Sequence, residues 1–146
     1  MDSINNLTFA SINCNSLNMS SSSKLLQHSK LYGAAKLKTD VIFLSDIRLS
    51  NRNLVSNFNN IANIFRINPY ASYRFLHNSS QNKRGTGILI KYDIPFTELA
   101  RRQDPDENYL LLMAELKGNN IILGSIYGPN GHDNNFLYHC NEILRP

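Results

Sequence analysis

Two β-prone apolar runs, Tyr109–Leu116 and Ile121–Tyr127, flank the turn sequence Lys117-Gly118-Asn119-Asn120 and read together as a hairpin. Gly128-Pro129-Asn130-Gly131 then stops the second strand. Four more segments have strand character. Leu7–Asn15 places Leu7, Phe9 and Ser11 on one face and Thr8, Ala10 and Ile12 on the other. Neither face carries a charge, which suits a strand inside a sandwich rather than at its rim. Val41-Ile42-Phe43-Leu44 is a short continuous apolar run of the buried-strand kind, ending in Ser45-Asp46. Tyr73-Arg74-Phe75-Leu76 and Gly87-Ile88-Leu89-Ile90-Lys91 form a strand pair joined through the polar loop Asn78–Arg84.

Helical periodicity is confined to fewer places. Ser20–Ser23 offers N-caps, after which Leu25, Leu26, Leu31 and Ala35 recur with helical spacing, predicting a helix over Lys24–Lys38. Asn51–Ile64 reads as a second short helix, and Asn134 caps a third that runs out at Pro146. These elements predict an α/β architecture: a mixed, mainly antiparallel sheet of about five or six strands with one helix packed on its outer face. The 146 residues fit one domain, and the 42% apolar share is that of a globular chain.

A net charge of +4 favours approach of a polyanion, although it is spread along the chain rather than gathered in a tail. Cys14 and Cys140 lie far apart without C-x-x-C spacing, which argues against a zinc site or a disulfide framework. No apolar leader and no run of about 18 apolar residues occurs, so the expectation is an intracellular chain, nuclear or cytoplasmic, with no membrane partner.

Three of the apolar strands end in polar groups. The first ends in Asn13 and Asn15, which share a face because side chains alternate with period two. The second ends in Asp46, followed by Arg48, and the third in Tyr127 with Asn130 just beyond a Gly-Pro turn. One carboxylate, amides and a phenol suit Mg²⁺ and phosphate better than zinc. Taken singly, each has a plain structural role. An Asn can satisfy backbone groups at a strand end, an Asp can cap a loop, and a Tyr can pack half-buried. Their order along the chain outweighs these roles.

Ser11-Ile12-Asn13-Cys14-Asn15-Ser16-Leu17-Asn18 resembles the opening strand of the exonuclease–endonuclease–phosphatase superfamily, in which an Asn at the position of Asn15 approaches a metal. Phe43-Leu44-Ser45-Asp46-Ile47-Arg48-Leu49 resembles that family's second strand, usually ending Gln-Glu-Thr, whose Glu is the main metal ligand. Lys83-Arg84-Gly85-Thr86-Gly87-Ile88-Leu89-Ile90 resembles the glycine-bearing strand that follows. Ile122-Leu123-Gly124-Ser125-Ile126-Tyr127-Gly128-Pro129-Asn130 resembles the strand ending Tyr-x-Pro-Asn, whose Tyr and Asn contact the scissile phosphate. The wording is most similar to the endonuclease domain at the front of non-LTR retrotransposon polyproteins, a relative of abasic-site endonucleases.

That resemblance implies the N-terminal half of a four-layer α/β/β/α sandwich. It also implies hydrolysis of a DNA phosphodiester with Mg²⁺, or Mn²⁺ in its place. Asp46 and Asn15 would hold the metal, Tyr127 and Asn130 the phosphate, and Arg48, Lys83 and Arg84 the nucleic acid. Asp46 is one methylene shorter than the family's Glu. The family's later Gly-Asp-x-Asn and Ser-Asp-His motifs, which supply the general base, do not occur within residues 1–146. The expectation is therefore a truncated domain whose downstream half, and a reverse transcriptase beyond it, would follow on the same polyprotein. On this reading the chain alone does not nick, and the apolar faces at 41–44 and 121–126 lack a partner. A phosphatase of the same superfamily and a catalytically dead nucleic-acid-binding remnant are the alternatives.

Overall fold

The computed structural model describes residues 6–15, 38–48, 73–80, 84–128 and 142. Seven strands run through them: β1 (Phe9–Asn13), β2 (Val41–Ser45), β3 (Tyr73–Asn78), β4 (Thr86–Lys91), β5 (Phe96–Gln103), β6 (Tyr109–Leu116) and β7 (Asn119–Ile126). They do not form the single sheet expected. They divide into a four-stranded sheet ordered β1-β2-β4-β3 and a three-stranded sheet ordered β5-β6-β7. In the first, β1 and β2 are parallel and the other pairs antiparallel; the second is antiparallel throughout. Of the helix expected over Lys24–Lys38 only Lys38 is described, in a turn at φ 58°, and the segment Asn51–Ile64 lies outside the described residues. Of the helix expected from Asn134 only Glu142 is described, and it is helical. Among the described residues no helix is long and apolar enough to cross a membrane.

The chain divides into two sheets because alternate residues serve two cores. Val41, Ile88 and Ile90 from the first sheet join Leu110, Leu112, Leu116 and Leu123 from the second, with Leu7 and Ile94, in one buried cluster. On the opposite face of the first sheet, Ile42, Leu44 and Leu89 form another with Cys14, Ile47 and Tyr73. β2 and β4 are thus apolar on both faces, which is why they read as continuous apolar runs. The expectation of unpartnered faces at 41–44 and 121–126 is corrected here. Val41, Ile42, Leu44 and Leu123 are buried, and the two sheets cover each other. What stays open is the far face of the second sheet, where Ile122 is 66% exposed.

Two further expectations change. Among the described residues β1 stands at the edge of its sheet, alternately exposed along its length, despite lacking charges. Phe9 stacks on Phe43 of β2 at 6.4 Å between ring centres. β5 was not expected at all. Its residues are almost all exposed, it carries Arg101 and Arg102, and its register with β6 slips between Glu98 and Ala100. A charged, bulged strand at a sheet edge resists pairing with other chains, and nothing apolar repeats along it to announce it. The chain enters β5 through a turn held by Arg74, whose guanidinium donates to the carbonyls of Lys91 and Ile94 at 3.1 Å each and lies over the Phe96 ring. The β6–β7 hairpin forms as expected but more tightly. Lys117 and Gly118, at φ 50° and 79°, make a two-residue turn, and Asn119 already pairs with Leu116. Positive φ at both central residues matches the twist of the strands that they join.

Candidate functional site

Strand direction gathers the polar residues. Because β1 and β2 are parallel, Asn13 pairs with Ser45, and the Cys14 amide donates to the Ser45 carbonyl at 2.9 Å. Asn15 and Asp46 therefore leave the sheet side by side. β4 is antiparallel to β2, so Arg84 and Gly85 enter at this same end. The amides of Ile47 and Arg48 donate to the carbonyls of Gly85 and Arg84 at 3.2 and 2.7 Å. The second sheet is tied on by Ser125, whose hydroxyl donates to the Leu44 carbonyl at 2.8 Å. That bond brings the end of β7, and with it Tyr127, to the end of β2.

Asp46 is 3% exposed and its carboxylate is fully engaged. Arg48 Nε donates to Oδ1 at 2.8 Å and its Nη2 to Oδ2 at 2.9 Å, a fork-to-fork pair. These bonds hold the guanidinium even more firmly protonated than usual, with a smaller contribution from the Tyr127 phenol close by. The Tyr127 amide donates to the Asn108 carbonyl at 2.7 Å, and Arg84 Nη1 donates to the Asn108 side-chain oxygen at 3.1 Å. Asn15 is exposed, and its amide donates to Asn13 Oδ1 at 3.1 Å, so Asn13 is a strand-end cap. Thus Asn15, Asp46, Arg48, Arg84 and Tyr127 all come to one end of the fold. Lys83 and Asn130 lie outside the described residues.

Backbone conformation marks the same place. Nine described residues have positive φ, and six of them stand at this end: Asn15, Asp46, Arg48, Arg84, Gly85 and Glu107. For non-glycine residues such angles are uncommon, and they concentrate at functional sites. At Gly85 (φ 96°) a side chain would also collide with Ser79.

Glu107 and Asn108 were missed in the sequence. Asn108 is buried and bridges Arg84 to the Tyr127 backbone. Glu107, 4% exposed, accepts from the Ser80 hydroxyl at 2.6 Å through Oε1, while its buried Oε2 has no partner. The hairpin register held the signal. A turn at 117–118 pairs Tyr109 with Ile126, which sets Asn108 beside Tyr127.

A shallow groove of about 360 Å³ opens on the far face of the second sheet, lined by Ala100, Arg101, Arg102, Leu111, Met113 and Ile122. No residue of the polar end lines it.

The fold has a counterpart among solved structures. The structure of an AP endonuclease from Archaeoglobus fulgidus superposes with a TM-score of 0.53 at 18% identity, over 94% of this chain and 48% of that one. The fold is AP-endonuclease-like. At that identity the likeness concerns the fold alone, and the chain spans about half the length of its neighbour. No protein-family model and no curated protein matches the chain.

Proposed function

We propose that this end of the fold is the metal- and phosphate-binding part of a phosphodiester-hydrolysing site of endonuclease type, acting on DNA. The observation that carries the reading is the convergence of Asp46, Arg48, Arg84 and Tyr127, which lie up to about eighty positions apart, on one strand-end surface beside Asn15. Among the described residues no three His, Cys, Asp or Glu side chains gather to hold a metal ion. A divalent ion here would rest on one carboxylate with amide, water and phosphate oxygens, as magnesium does and zinc does not. This end of the fold also already seats a cation, the Arg48 guanidinium, against Asp46. The donor set therefore fits Mg²⁺ or Mn²⁺ held by Asp46 and Asn15. When bound, the ion would stabilise negative charge developing on the phosphodiester.

The chain's own groups have separable tasks. Arg84, steadied by Asn108, and Arg48 place two cations where a phosphate arrives. The Tyr127 hydroxyl, beside Arg48, supplies a hydrogen bond that orients that phosphate. On the family resemblance Asn130 would contact the phosphate and Lys83 the nucleic acid. The reading assigns none of the described residues the task of activating water, and it expects DNA binding without specific nicking. The retrotransposon setting, with a downstream half and a reverse transcriptase in an intracellular polyprotein, belongs to this same reading.

The test is binding of a short DNA duplex to the intact chain with and without Mg²⁺, followed by anisotropy. We expect a Mg²⁺-dependent increment that Asp46→Asn removes, and supercoiled plasmid left uncut. Binding indifferent to both Mg²⁺ and Asp46 would reject the metal site. Full engagement of Asp46 by Arg48 favours one alternative, a binding module without turnover. Nicking restored in a longer chain and lost with Asp46→Asn would exclude it.

A further inference from the structure

We infer that Arg48 is a built-in cation competing with a divalent ion for Asp46, so that metal binding is released when a phosphate draws Arg48 away. The inference rests on the reading of Asp46 as a metal ligand. Both carboxylate oxygens are taken by Arg48, and the carboxylate is 5% exposed, so solvent has little part in satisfying it. A guanidinium and a divalent ion at one carboxylate repel each other, and burial strengthens that repulsion.

The two partners differ in freedom. The Arg48 side chain is 42% exposed, so it can swing outwards without opening a cavity. Its backbone cannot follow. Arg48 and Ile47 are bonded to Arg84 and Gly85, and Asp46 and Arg48 hold φ near 54° and 52° on either side of buried Ile47. The movable part is the guanidinium alone. A phosphate offers it the same two-pronged acceptor that Asp46 does. Exchange of carboxylate for phosphate keeps Arg48 satisfied and uncovers Asp46. Metal and phosphodiester then bind with positive coupling, each raising the other's affinity by the same factor.

The experiment is a Mn²⁺ titration of the intact chain followed by the free-ion EPR signal. Without DNA, Arg48→Gln should bind Mn²⁺ on the order of tenfold more tightly than the native chain, the usual size of such coupling. Arg48→Lys should fall between, because an ammonium is a point charge that does not span both oxygens. Asp46→Asn should abolish the binding. A short DNA duplex should raise Mn²⁺ affinity of the native chain beyond what the duplex binds alone, and Arg48→Gln should lose that increment. If Arg48→Gln and Arg48→Lys bind no tighter than native while Asp46→Asn still abolishes binding, the competition is wrong and the metal site stands. If Asp46→Asn changes nothing, both fall. Should circular dichroism show Arg48→Gln unfolded, Arg48→Lys is judged by the same criterion.

Discussion

His77 lies on β3 beside Gly87, and its Nδ1 is buried without a partner. Burial pushes its pKa below the ordinary 6.5, assisted by Arg101 and opposed by a backbone bond at Ser79 and by Glu107. In the unfolded chain the same imidazole protonates near 6.5, so the unfolded state binds more protons just below that pH. Its contribution is complete above 6.5 and is lost as pH falls from there through the lower folded value. Denaturant midpoints measured between about pH 8 and pH 5 should decline on the acid side, where histidine titrates. His77→Leu should flatten that decline; an unchanged slope would mean that the imidazole is charged in the fold. Tyr73 is the opposite case. Its hydroxyl donates to the Thr39 carbonyl at 2.6 Å, and burial drives its pKa up to about 12, keeping it neutral and structural. Gly85 provides a second test at this scale. Alanine there meets Ser79 at a φ suited to glycine, so Gly85→Ala should lose about 1–3 kcal/mol in a urea titration. No loss would show that the turn beside Asp46 is not held in this conformation.

Among the elements, β6 decides how the sheets meet. Leu110, Leu112, Ala114 and Leu116 point into the shared core, while Leu111, Met113 and Glu115 point away from it. Leu112→Ala should therefore destabilise by about 2–5 kcal/mol, the range for a buried leucine left as a cavity. Ile122→Ala, on the open face of the neighbouring strand, should stay within about 0.5 kcal/mol. Equal losses in thermal or urea unfolding would show that the far face is covered as well as the near one. The same alternation explains what could be read beforehand. β2 and β4 are buried on both faces and read as continuous apolar runs, while β6 buries one whole face and β7 part of one, and these two alternate at period two. β5 buries almost nothing, and its strand conformation comes from hydrogen bonds to β6 that no side-chain pattern records.

At the scale of the molecule, a net charge of +4 gives long-range attraction for a polyanion, while the polar end supplies the local contacts. If Arg84 meets a phosphate, Arg84→Gln should weaken duplex binding and lower the salt dependence of log affinity by about 0.9, the increment of one phosphate contact. Arg74, enclosed by the carbonyls of the 91–94 turn, should show no such effect on the slope. Equal slopes for Arg84→Gln and the native chain would remove Arg84 from the interface.

The sequence by itself determined the strand runs other than β5, the β6–β7 hairpin and most of the polar residues that follow strands, because these are written in local periodicity and turn chemistry. It also held enough order along the chain to suggest a phosphodiesterase-type fold, and the AP-endonuclease-like architecture agrees with that. Only the tertiary structure decided that the strands divide into two sheets, that β1 lies at an edge, and that Asp46 is bound by Arg48. Sheet membership depends on which of two apolar faces finds which partner, and a residue's own neighbours do not specify that. The Asp46–Arg48 bond goes with left-handed backbone at both residues, in a turn where Ile47 and Arg48 are bonded to Gly85 and Arg84, more than thirty positions away. A carboxylate two residues before an arginine is ordinary in sequence; burial and that backbone turn make it a closed pair.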